Sequence, residues 1–280
     1  MRVTSALSGR STGTRRFRRR SWPCRNMSII CVVTPRSCCM SRRKSALITG
    51  GSQGIGLACA QLLYEKGYDI CLMSRSPEKL DEAARSVSAG TSRPVYTVPA
   101  DAASPEQAAS AVEQACRLLG GIDVLINSAG CSMHAPCSFE NVSTEEYKRI
   151  MDTNVDGLFY MTRSVLKAMK ERQSGYIINI LSTASHAAAA RGGPYSASKY
   201  AALALTETLA AECRGSGIRI TSISPGPVAT TIWSHKTTPP SEEEMARMLK
   251  PGDIARIAGF LLDNPDYVII RDIEVTPAGF

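Results

Sequence analysis

Tyr195 and Lys199 are the residues whose types and spacing point most directly to chemistry, because they lie four positions apart in a segment with helical character. Side chains at positions i and i+4 share one face of a helix, so both can reach the same site. A tyrosine with its ordinary pKa of about 10 is a poor acid–base group near neutral pH. A cation within a few ångströms lowers that pKa by about 1–3 units. The pair therefore predicts an acid–base tyrosine, although the same spacing also occurs on helices where it is purely structural.

A second candidate site is the glycine-rich segment 49–56, Thr-Gly-Gly-Ser-Gln-Gly-Ile-Gly, which joins a short apolar run to a helical pattern. Glycines let the chain turn sharply and bring backbone N–H groups close to a pyrophosphate at a helix N-terminus. The spacing of Gly50, Gly54 and Gly56 differs from the G-x-G-x-x-G fingerprint, and a tight strand-to-helix turn needs glycine in any case. The strand before the turn and the helix after it favour a nucleotide site.

Arg75 follows the second predicted strand, at the point where a dinucleotide-binding domain discriminates between coenzymes. NAD sites place an acidic residue there for the ribose 2′-hydroxyl, whereas an arginine suits the 2′-phosphate of NADP. No acidic residue follows the strand before Glu78, and a guanidinium binds phosphate with several donors. The pattern predicts NADP(H), with a solvated surface arginine as the alternative.

Short apolar runs alternate with helix-length segments from residue 45 onward, and these elements must position the candidate groups. The predicted strands are 45–49, 68–74, 95–98, 123–127, 176–181, 218–223 and 268–275. The predicted helices are 54–66, 77–88, 104–119, 144–171, 195–213 and 242–262. Most of the strands are apolar throughout, which suits strands buried on both faces of a parallel sheet. The order predicts one doubly wound, Rossmann-type α/β domain with a seven-stranded parallel sheet flanked by helices.

The charge of the chain is unevenly distributed. Residues 1–44 include eleven arginines and Lys44 but no Asp or Glu, whereas all 280 residues together carry a formal charge of +8. Residues 45–280 are therefore slightly acidic, and the overall basic balance does not indicate a nucleic-acid-binding domain. A hydrophobic fraction of 44% excludes disorder of the whole chain, and no run approaches the ~20 apolar residues of a transmembrane helix. The ten cysteines show no C-x-x-C or zinc-ligand spacing, so no metal site is predicted.

The basic segment 1–44 is predicted to be a disordered tail with three open interpretations. Its arginine-rich, acid-free composition is typical of a mitochondrial transit peptide, and the cluster at 15–20 is also typical of nuclear import signals. Alternatively, the working protein begins at Met40, just before the first strand, which would place it in the cytoplasm. We favour the start at Met40, and in each case residues 45–280 form the folded domain.

Six ordered motifs make residues 45–280 resemble the classical subfamily of the short-chain dehydrogenases/reductases. The turn 49–56 matches the family's T-G-x-x-x-G-x-G motif, and 127–130 matches N-N-A-G except that Ser128 replaces the second Asn. The segment 225–230 matches P-G-x-V-x-T. The remaining family positions fall on Asn154, Ser182, Tyr195 and Lys199.

The resemblance implies hydride transfer between NADP(H) and a carbonyl or secondary alcohol. Tyr195 would exchange a proton with the substrate oxygen, Ser182 would hydrogen-bond that oxygen, and Lys199 would lower the tyrosine pKa and hold the nicotinamide ribose. Asn154 would hold a water that connects Lys199 to solvent. The implied catalytic residues are Asn154, Ser182, Tyr195 and Lys199. The implied cofactor-binding residues are Thr49, Gly50, Ser52, Gln53, Gly54, Ile55, Gly56, Arg75, Asp101, Asn127, Ala129, Gly130, Tyr195, Lys199, Pro225, Gly226, Val228 and Thr230.

The C-terminal pattern resembles NADP-dependent 3-hydroxy acid dehydrogenases and broad carbonyl reductases, which implies a small 3-hydroxy or 3-oxo acid or a ketone as substrate. A 3-oxoacyl-thioester (acyl carrier protein) reductase is the second candidate. Two hypotheses belong to other classes: a nucleotide-binding homologue without catalysis, and a nucleic-acid binder acting through the cluster at 15–20. Family members commonly form homodimers or homotetramers through helices that correspond to 144–171 and 195–213. No membrane or metal partner is expected.

Two features near the predicted site are open to more than one interpretation. The segment 231–250 would cover the substrate, and it contains no evident cluster of ion-pairing residues from which a substrate could be derived. His186 lies four residues after Ser182, and it either faces the substrate or has no role in chemistry.

Overall fold

Strands and helices alternate along residues 42–279, the part of the chain that the computed structural model describes. The strands are β1 Ser45–Thr49, β2 Asp69–Ser74, β3 Val95–Pro99, β4 Val124–Asn127, β5 Gly175–Ile180, β6 Ile218–Pro225 and β7 Asp272–Val275. The helices are α1 Gly54–Glu65, α2 Pro77–Val87, α3 Pro105–Leu119, α4 Thr144–Met151, α5 Gly157–Arg172, α6 Gly193–Glu212, α7 Glu242–Arg247 and α8 Pro251–Asp263. All seven strands pair in parallel in the order β3-β2-β1-β4-β5-β6-β7. The predicted Rossmann-type fold is therefore confirmed.

The sheet lies between two helical layers because both of its faces are apolar. In β1, Ile48 packs in one buried cluster with residues of α1, α2 and α8. Its neighbour Leu47 packs in a second cluster with residues of α3, α5 and α6. All five residues of β1 are buried, which explains why the apolar run in the sequence is continuous rather than alternating.

Serine caps begin the crossover helices α2 and α3. The Ser76 hydroxyl accepts a hydrogen bond from the Lys79 N–H, and the Ser104 hydroxyl accepts one from the Gln107 N–H, each at 3.3 Å. Proline follows the cap in both helices, where its missing N–H removes no helical hydrogen bond. These local signals fix the residue at which each helix begins.

Two predicted helices are interrupted in the structure. In 144–171, a π-helical turn at Asp152–Asp156 separates α4 from α5. In 242–262, Lys250 is extended with a ψ of 152°, and Pro251 begins α8 as a separate helix. The proline ring disfavours helical backbone in the residue before it, which accounts for the break.

Both ends of the predicted domain differ in detail from the expectation. The predicted tail includes 42–44, but Arg42 donates to both carboxylate oxygens of Asp123, at 2.7 and 2.9 Å. At the other end, only the last four residues of the predicted strand 268–275 pair with β6. The tail prediction for 1–41 lies outside the described residues.

A chain of buried amide and hydroxyl groups joins β4 and β5 to the helices beside them. Asn127 Nδ2 donates to Asn179 Oδ1 at 2.9 Å and to Thr162 Oγ1 at 3.0 Å. Asn179 Nδ2 donates in turn to Thr206 Oγ1 at 2.8 Å. Because Asn127 and Asn179 are register partners, this network ties the two strands together near their carboxyl ends.

We expect Asn179→Ala to lower the free energy of unfolding by about 1–3 kcal/mol, because buried partners lose a hydrogen bond. Chemical unfolding followed by circular dichroism measures this change. The exposed Asn141 provides a matched control, and Asn141→Ala should change the same free energy by less than about 0.5 kcal/mol. Equal losses in the two variants would show that the buried network is not a source of stability.

Candidate active site

The predicted site residues leave the sheet at the carboxyl ends of its central strands. Thr49 at the end of β1 pairs with Met73 of β2 on one side and with Asn127 of β4 on the other. Strands β2 and β3 lie on one side of β1, and β4 to β7 lie on its other side. The strand order therefore reverses between β1 and β4. Open α/β sheets bind ligands at this switch point, outside the carboxyl ends of the strands.

The glycine turn after β1 has a backbone that favours glycine. Gly50 and Gly54 have φ values of 64° and 56°, in the left-handed region. A Cβ on Gly56 would lie 2.4 Å from the Gly50 carbonyl oxygen, and one on Gly50 would lie 2.9 Å from the Ala129 nitrogen. No side chain caps the first turn of α1, so its N–H groups fit a pyrophosphate. The other predicted residues of this turn, which are partly exposed, are Ser52, Gln53 and Ile55.

Ser74 and Arg75 follow one another where β2 ends, at the predicted position for coenzyme discrimination. The buried Ser74 hydroxyl has no hydrogen-bond partner among residues 42–279, and Arg75 is exposed. An exposed guanidinium at this strand end fits a ribose phosphate. Asp101, after β3, accepts a hydrogen bond from the Ala103 N–H at 3.0 Å. Its contact with the cofactor stays a prediction.

Thr49 holds the loop after β4 against β1. Its buried hydroxyl accepts hydrogen bonds from the N–H groups of Ser128 and Ala129, both at 3.1 Å. Because these donors are backbone groups, the contact does not depend on the side chain at 128, where this chain departs from the family motif. The side-chain contacts of Thr49 and Asn127 shown by the structure are within the protein, so direct cofactor binding by either stays a prediction.

Asn154 lies in the π-helical turn and connects three parts of the site. Its Oδ1 accepts from the Cys131 N–H at 2.8 Å, and its Nδ2 donates to the Cys131 carbonyl at 2.9 Å and to the Ser198 hydroxyl at 3.0 Å. A Cβ on Gly130 would lie 3.3 Å from Asn154 Oδ1 and 3.8 Å from Lys199 Nζ. The loop after β4, the π turn and α6 therefore meet at this point.

Ser182, Tyr195 and Lys199 come together beside the carboxyl end of β5. Lys199 Nζ donates to the Ile180 carbonyl at 3.2 Å and lies 5.8 Å from the centre of the Tyr195 ring. The Ser182 hydroxyl accepts from the Ala184 N–H at 3.1 Å and interacts with the Tyr195 side chain. The sequence-predicted catalytic residues thus share one site.

The electrostatics of the tyrosine–lysine pair differ from the expectation. Burial raises the pKa of Tyr195 above its usual value, a side-chain hydrogen bond with Ser182 acts against this rise, and Cys131 adds to it. Burial also lowers the pKa of Lys199 to about 8, against a smaller upward effect of Cys131. The expected net lowering of the tyrosine pKa by the lysine is therefore absent, because desolvation disfavours the charged forms of both groups. The phenol keeps its proton at neutral pH.

His186 makes contacts that the sequence did not reveal. Its Nε2 lies 3.1 Å from Asp272 Oδ2 and 3.3 Å from the Ser224 hydroxyl. Its carbonyl accepts from the Tyr200 hydroxyl at 2.6 Å. These bonds fasten the segment that follows Ser182 to β6, β7 and α6. No local pattern could have identified the partners, because they are distant in the chain.

The segment after β6 returns to the glycine turn. It begins at Pro225, the last residue of β6, and a Cβ on Gly226 would lie 3.3 Å from a proline ring beyond β7. Val228 is buried. A Cβ on Gly54 would lie 3.4 Å from Thr230 Cγ2. The predicted nicotinamide end of the site is thus brought against the predicted pyrophosphate turn.

Residues 42–279 contain no candidate metal site, disulfide or membrane-spanning helix. No group of three or more His, Cys, Asp or Glu side chains there could hold a metal ion. The six cysteines of this region are free thiols, three of them buried. No helix in the same region is long and apolar enough to cross a membrane.

The fold and site together define a Rossmann-type dinucleotide-binding domain. The profile of the short chain dehydrogenase family matches residues 44–240. An uncharacterised oxidoreductase of Staphylococcus aureus strain MW2 is 34% identical over 234 residues, which cover 84% of this chain and 97% of that protein. The chain therefore belongs to the short-chain dehydrogenase/reductase family of oxidoreductases, as its motifs predict.

Two solved structures share this architecture. A closed form of serine dehydrogenase complexed with NADP+ is 27% identical, with a TM-score of 0.76 and coverage of 84% of this chain and 98% of that one. A 3-ketoacyl-(acyl-carrier-protein) reductase from Brucella melitensis complexed with NADH is 28% identical, with a TM-score of 0.74 and coverage of 82% and 96%. Both contain a nicotinamide coenzyme, which supports a coenzyme of that kind for this chain.

The lowered pKa of Lys199 predicts a pH dependence of stability that is lost in the variant Lys199→Met. Between about pH 8 and 10.5 the buried lysine is deprotonated while the lysine of the unfolded chain keeps its proton. The unfolded state then binds more protons, so stability rises with pH. Relative to Lys199→Met, the free energy of unfolding of the wild type should rise by about 2 kcal/mol from about pH 7 to 9.5.

Urea unfolding of both proteins across this pH range measures the difference. Lys79→Met is the matched control, because Lys79 is an exposed lysine whereas Lys199 is buried. If the difference in the free energy of unfolding between the wild type and Lys199→Met stays constant with pH, Lys199 is not a desolvated cation.

Proposed function

We propose that this protein transfers hydride between NADP(H) and a carbonyl or secondary-alcohol group of a small 3-oxo or 3-hydroxy acid or ketone. The observation that carries the proposal is the meeting of Ser182, Tyr195 and Lys199 beside the end of β5, with Asn154 behind them. The loop that borders this cluster at Gly130 also packs on the glycine turn. Proton-transfer groups and a phosphate-binding turn are thus held by one edge of the sheet.

Each of the clustered side chains has a distinct task in this proposal. In reduction, Tyr195 donates its proton to the carbonyl oxygen, and Ser182 hydrogen-bonds the same oxygen. Lys199, with a pKa of about 8, is mostly protonated at pH 7 and stabilises the phenolate that remains. A bound nicotinamide supplies or accepts the hydride. In oxidation, Tyr195 takes the proton from the alcohol.

The hydrogen bonds of Asn154 support the role of a positioning residue in this proposal. Its three hydrogen bonds, to both backbone groups of Cys131 and to Ser198, keep the loop after β4 next to the first turns of α6. Lys199 follows Ser198 directly, so Asn154 controls where the ammonium lies relative to the loop. The proton relay through water stays a prediction for this residue.

The preference for NADP(H) rests on the end of β2. Arg75 supplies an exposed guanidinium, and the neighbouring Ser74 hydroxyl is buried without a partner among the described residues. A 2′-phosphate would suit the guanidinium, because it accepts several hydrogen bonds and carries negative charge. The pyrophosphate would bind the glycine turn, at the uncapped start of α1.

The substrate class rests on the C-terminal pattern and on the similarity to serine dehydrogenase. The similarity to a 3-ketoacyl-(acyl-carrier-protein) reductase supports 3-oxoacyl thioesters as the second candidate. A coenzyme-oxidation screen of 3-oxo acids, 3-oxoacyl thioesters and simple ketones separates the two. Failure to turn over any of these substrates would favour nucleotide binding without catalysis.

We also propose that the protein forms a homodimer or homotetramer. Aromatic side chains on the helices expected at the interface are exposed, with relative accessibilities of 47% for Tyr147, 42% for Phe159 and 42% for Tyr200. Exposed aromatic residues are enriched at protein interfaces. Light scattering of the purified protein gives the oligomeric state directly.

Replacement of the acid–base group gives the first test of the mechanism. We expect Tyr195→Phe to reduce kcat with NADPH and a responsive ketone by at least about 100-fold, because the phenolic proton is lost. NADPH should still bind, as measured by its fluorescence. Tyr267→Phe, at a strongly exposed position outside the proposed interface, serves as the control for removing a hydroxyl. Full turnover by Tyr195→Phe would overturn the proposed role.

Coenzyme preference gives a separate test at the other end of the site. We expect Arg75→Gln to raise the KM for NADPH about tenfold or more, with a much smaller effect on NADH, because only NADPH carries the 2′-phosphate. Steady-state kinetics with both coenzymes measure the change. Arg85→Gln, at an exposed position of α2, is the matched control. A wild-type preference for NADH would refute the assignment.

A further inference from the structure

The segment that follows β6 attaches to the loop that follows β4. The Lys236 ammonium donates to the Ser132 hydroxyl at 3.1 Å, and the Thr237 N–H donates to the His134 carbonyl at 3.0 Å. On its own side the segment is anchored by Trp233, whose indole N–H donates to a backbone carbonyl of the same segment at 2.7 Å. We call residues 231–237 the bridge, because they connect two strand ends.

The two strand ends that the bridge connects lie on either side of the end of β5. In the sheet, β5 lies between β4 and β6, and Ser182 follows β5. Cys131, the neighbour of Ser132, binds Asn154 through both of its backbone groups. Lys236 therefore contacts the same loop that borders the catalytic cluster.

Lys236 is a partly buried cation with two neutral partners, the Ser132 hydroxyl and the Trp233 ring, whose centre lies 5.7 Å from the ammonium. No carboxylate lies within 4.0 Å of its ammonium in the region 42–279, where its hydrogen bond goes to the Ser132 hydroxyl. The carboxylate of Glu146 attracts the Lys236 ammonium from beyond this distance. The carboxylate of Glu146 is already engaged by Arg149 at 2.7 Å, by the His134 N–H at 2.7 Å and by the His134 ring at 2.9 Å.

The charge on Lys236 is costly in this position. Burial lowers its pKa, and the attraction of Glu146 opposes this change. A desolvated ammonium that donates to a hydroxyl gains further from a charge-assisted hydrogen bond to an anion. The arrangement therefore favours an anionic group between the bridge and the catalytic cluster.

We propose that Lys236 is a specificity-determining residue that binds the carboxylate of an acidic substrate whose carbonyl group lies at Tyr195. In a 3-oxo acid, a single methylene separates the reacting carbonyl from the carboxylate, so both groups can be held on the same side of the site. The Ser132 hydroxyl stands beside the ammonium as a second donor. This inference rests on the proposed function and names the substrate group that the bridge selects.

The test compares an acid with its neutral ester in the full-length protein. With NADPH, kcat/KM is measured for 3-oxobutanoate and for methyl 3-oxobutanoate in the wild type, Lys236→Met and Lys236→Arg. Lys250→Met is the control, because Lys250 is an exposed lysine farther along the same connection. We expect the acid-to-ester ratio of kcat/KM to fall about tenfold or more in Lys236→Met, to recover partly in Lys236→Arg and to stay unchanged in Lys250→Met.

Salt supplies a measurement that does not depend on the folding of a variant. Raising the ionic strength should lower the acid-to-ester ratio of the wild type, because salt screens the attraction between ammonium and carboxylate. An acid-to-ester ratio that changes neither with salt nor in Lys236→Met would overturn the inference about Lys236. It would not affect the proposed carbonyl reduction. Turnover of neither compound, nor of any other carbonyl, by the wild type would instead overturn the proposed function itself.

Discussion

Parallel pairing brings the carboxyl ends of β1, β4 and β5 to one edge of the sheet, and the whole site depends on that alignment. Thr49, Asn127 and Asn179 are in register across the three strands. Asn127 donates to Asn179, and the Thr49 hydroxyl accepts from the Ala129 N–H, so these side chains connect the strand ends to one another and to the loop after β4. Loops that leave such an edge start from fixed points, so Gly130 and Lys199 meet although they are far apart in the chain.

Positive charge is distributed over this edge with little acidic compensation. Burial disfavours the charged forms of Lys199 and Lys236, and their hydrogen bonds go to a backbone carbonyl and a hydroxyl. Arg75 is exposed at the end of β2. In our proposal each cation faces a different electron-rich group of the ligands: the phenolic oxygen, the substrate carboxylate and the coenzyme phosphate. Such ligands offset the cost of desolvating a cation.

Local patterns account for what could be predicted about the elements, and also for what could not. The continuous apolar strands and the glycine turn follow from rules that act over a few residues, and the fold confirms them. The helical periodicity of 144–171 contains no sign of the π turn. Asn154 lies in that turn, and its partners Cys131 and Ser198 come from other parts of the chain. The contact between His186 and Asp272 was missed for the same reason.

The sequence by itself determined the family, the parallel α/β fold and the identity of the residues proposed for chemistry, because these are expressed in residue types at short, fixed spacings. Only the tertiary structure decided how those residues behave electrostatically. Burial raises the pKa of Tyr195 against the expectation drawn from its neighbour Lys199. The tertiary structure also brought Lys236 to Ser132. Desolvation and the partner of a charge depend on which distant segments pack around it, and spacing along the chain does not contain that information.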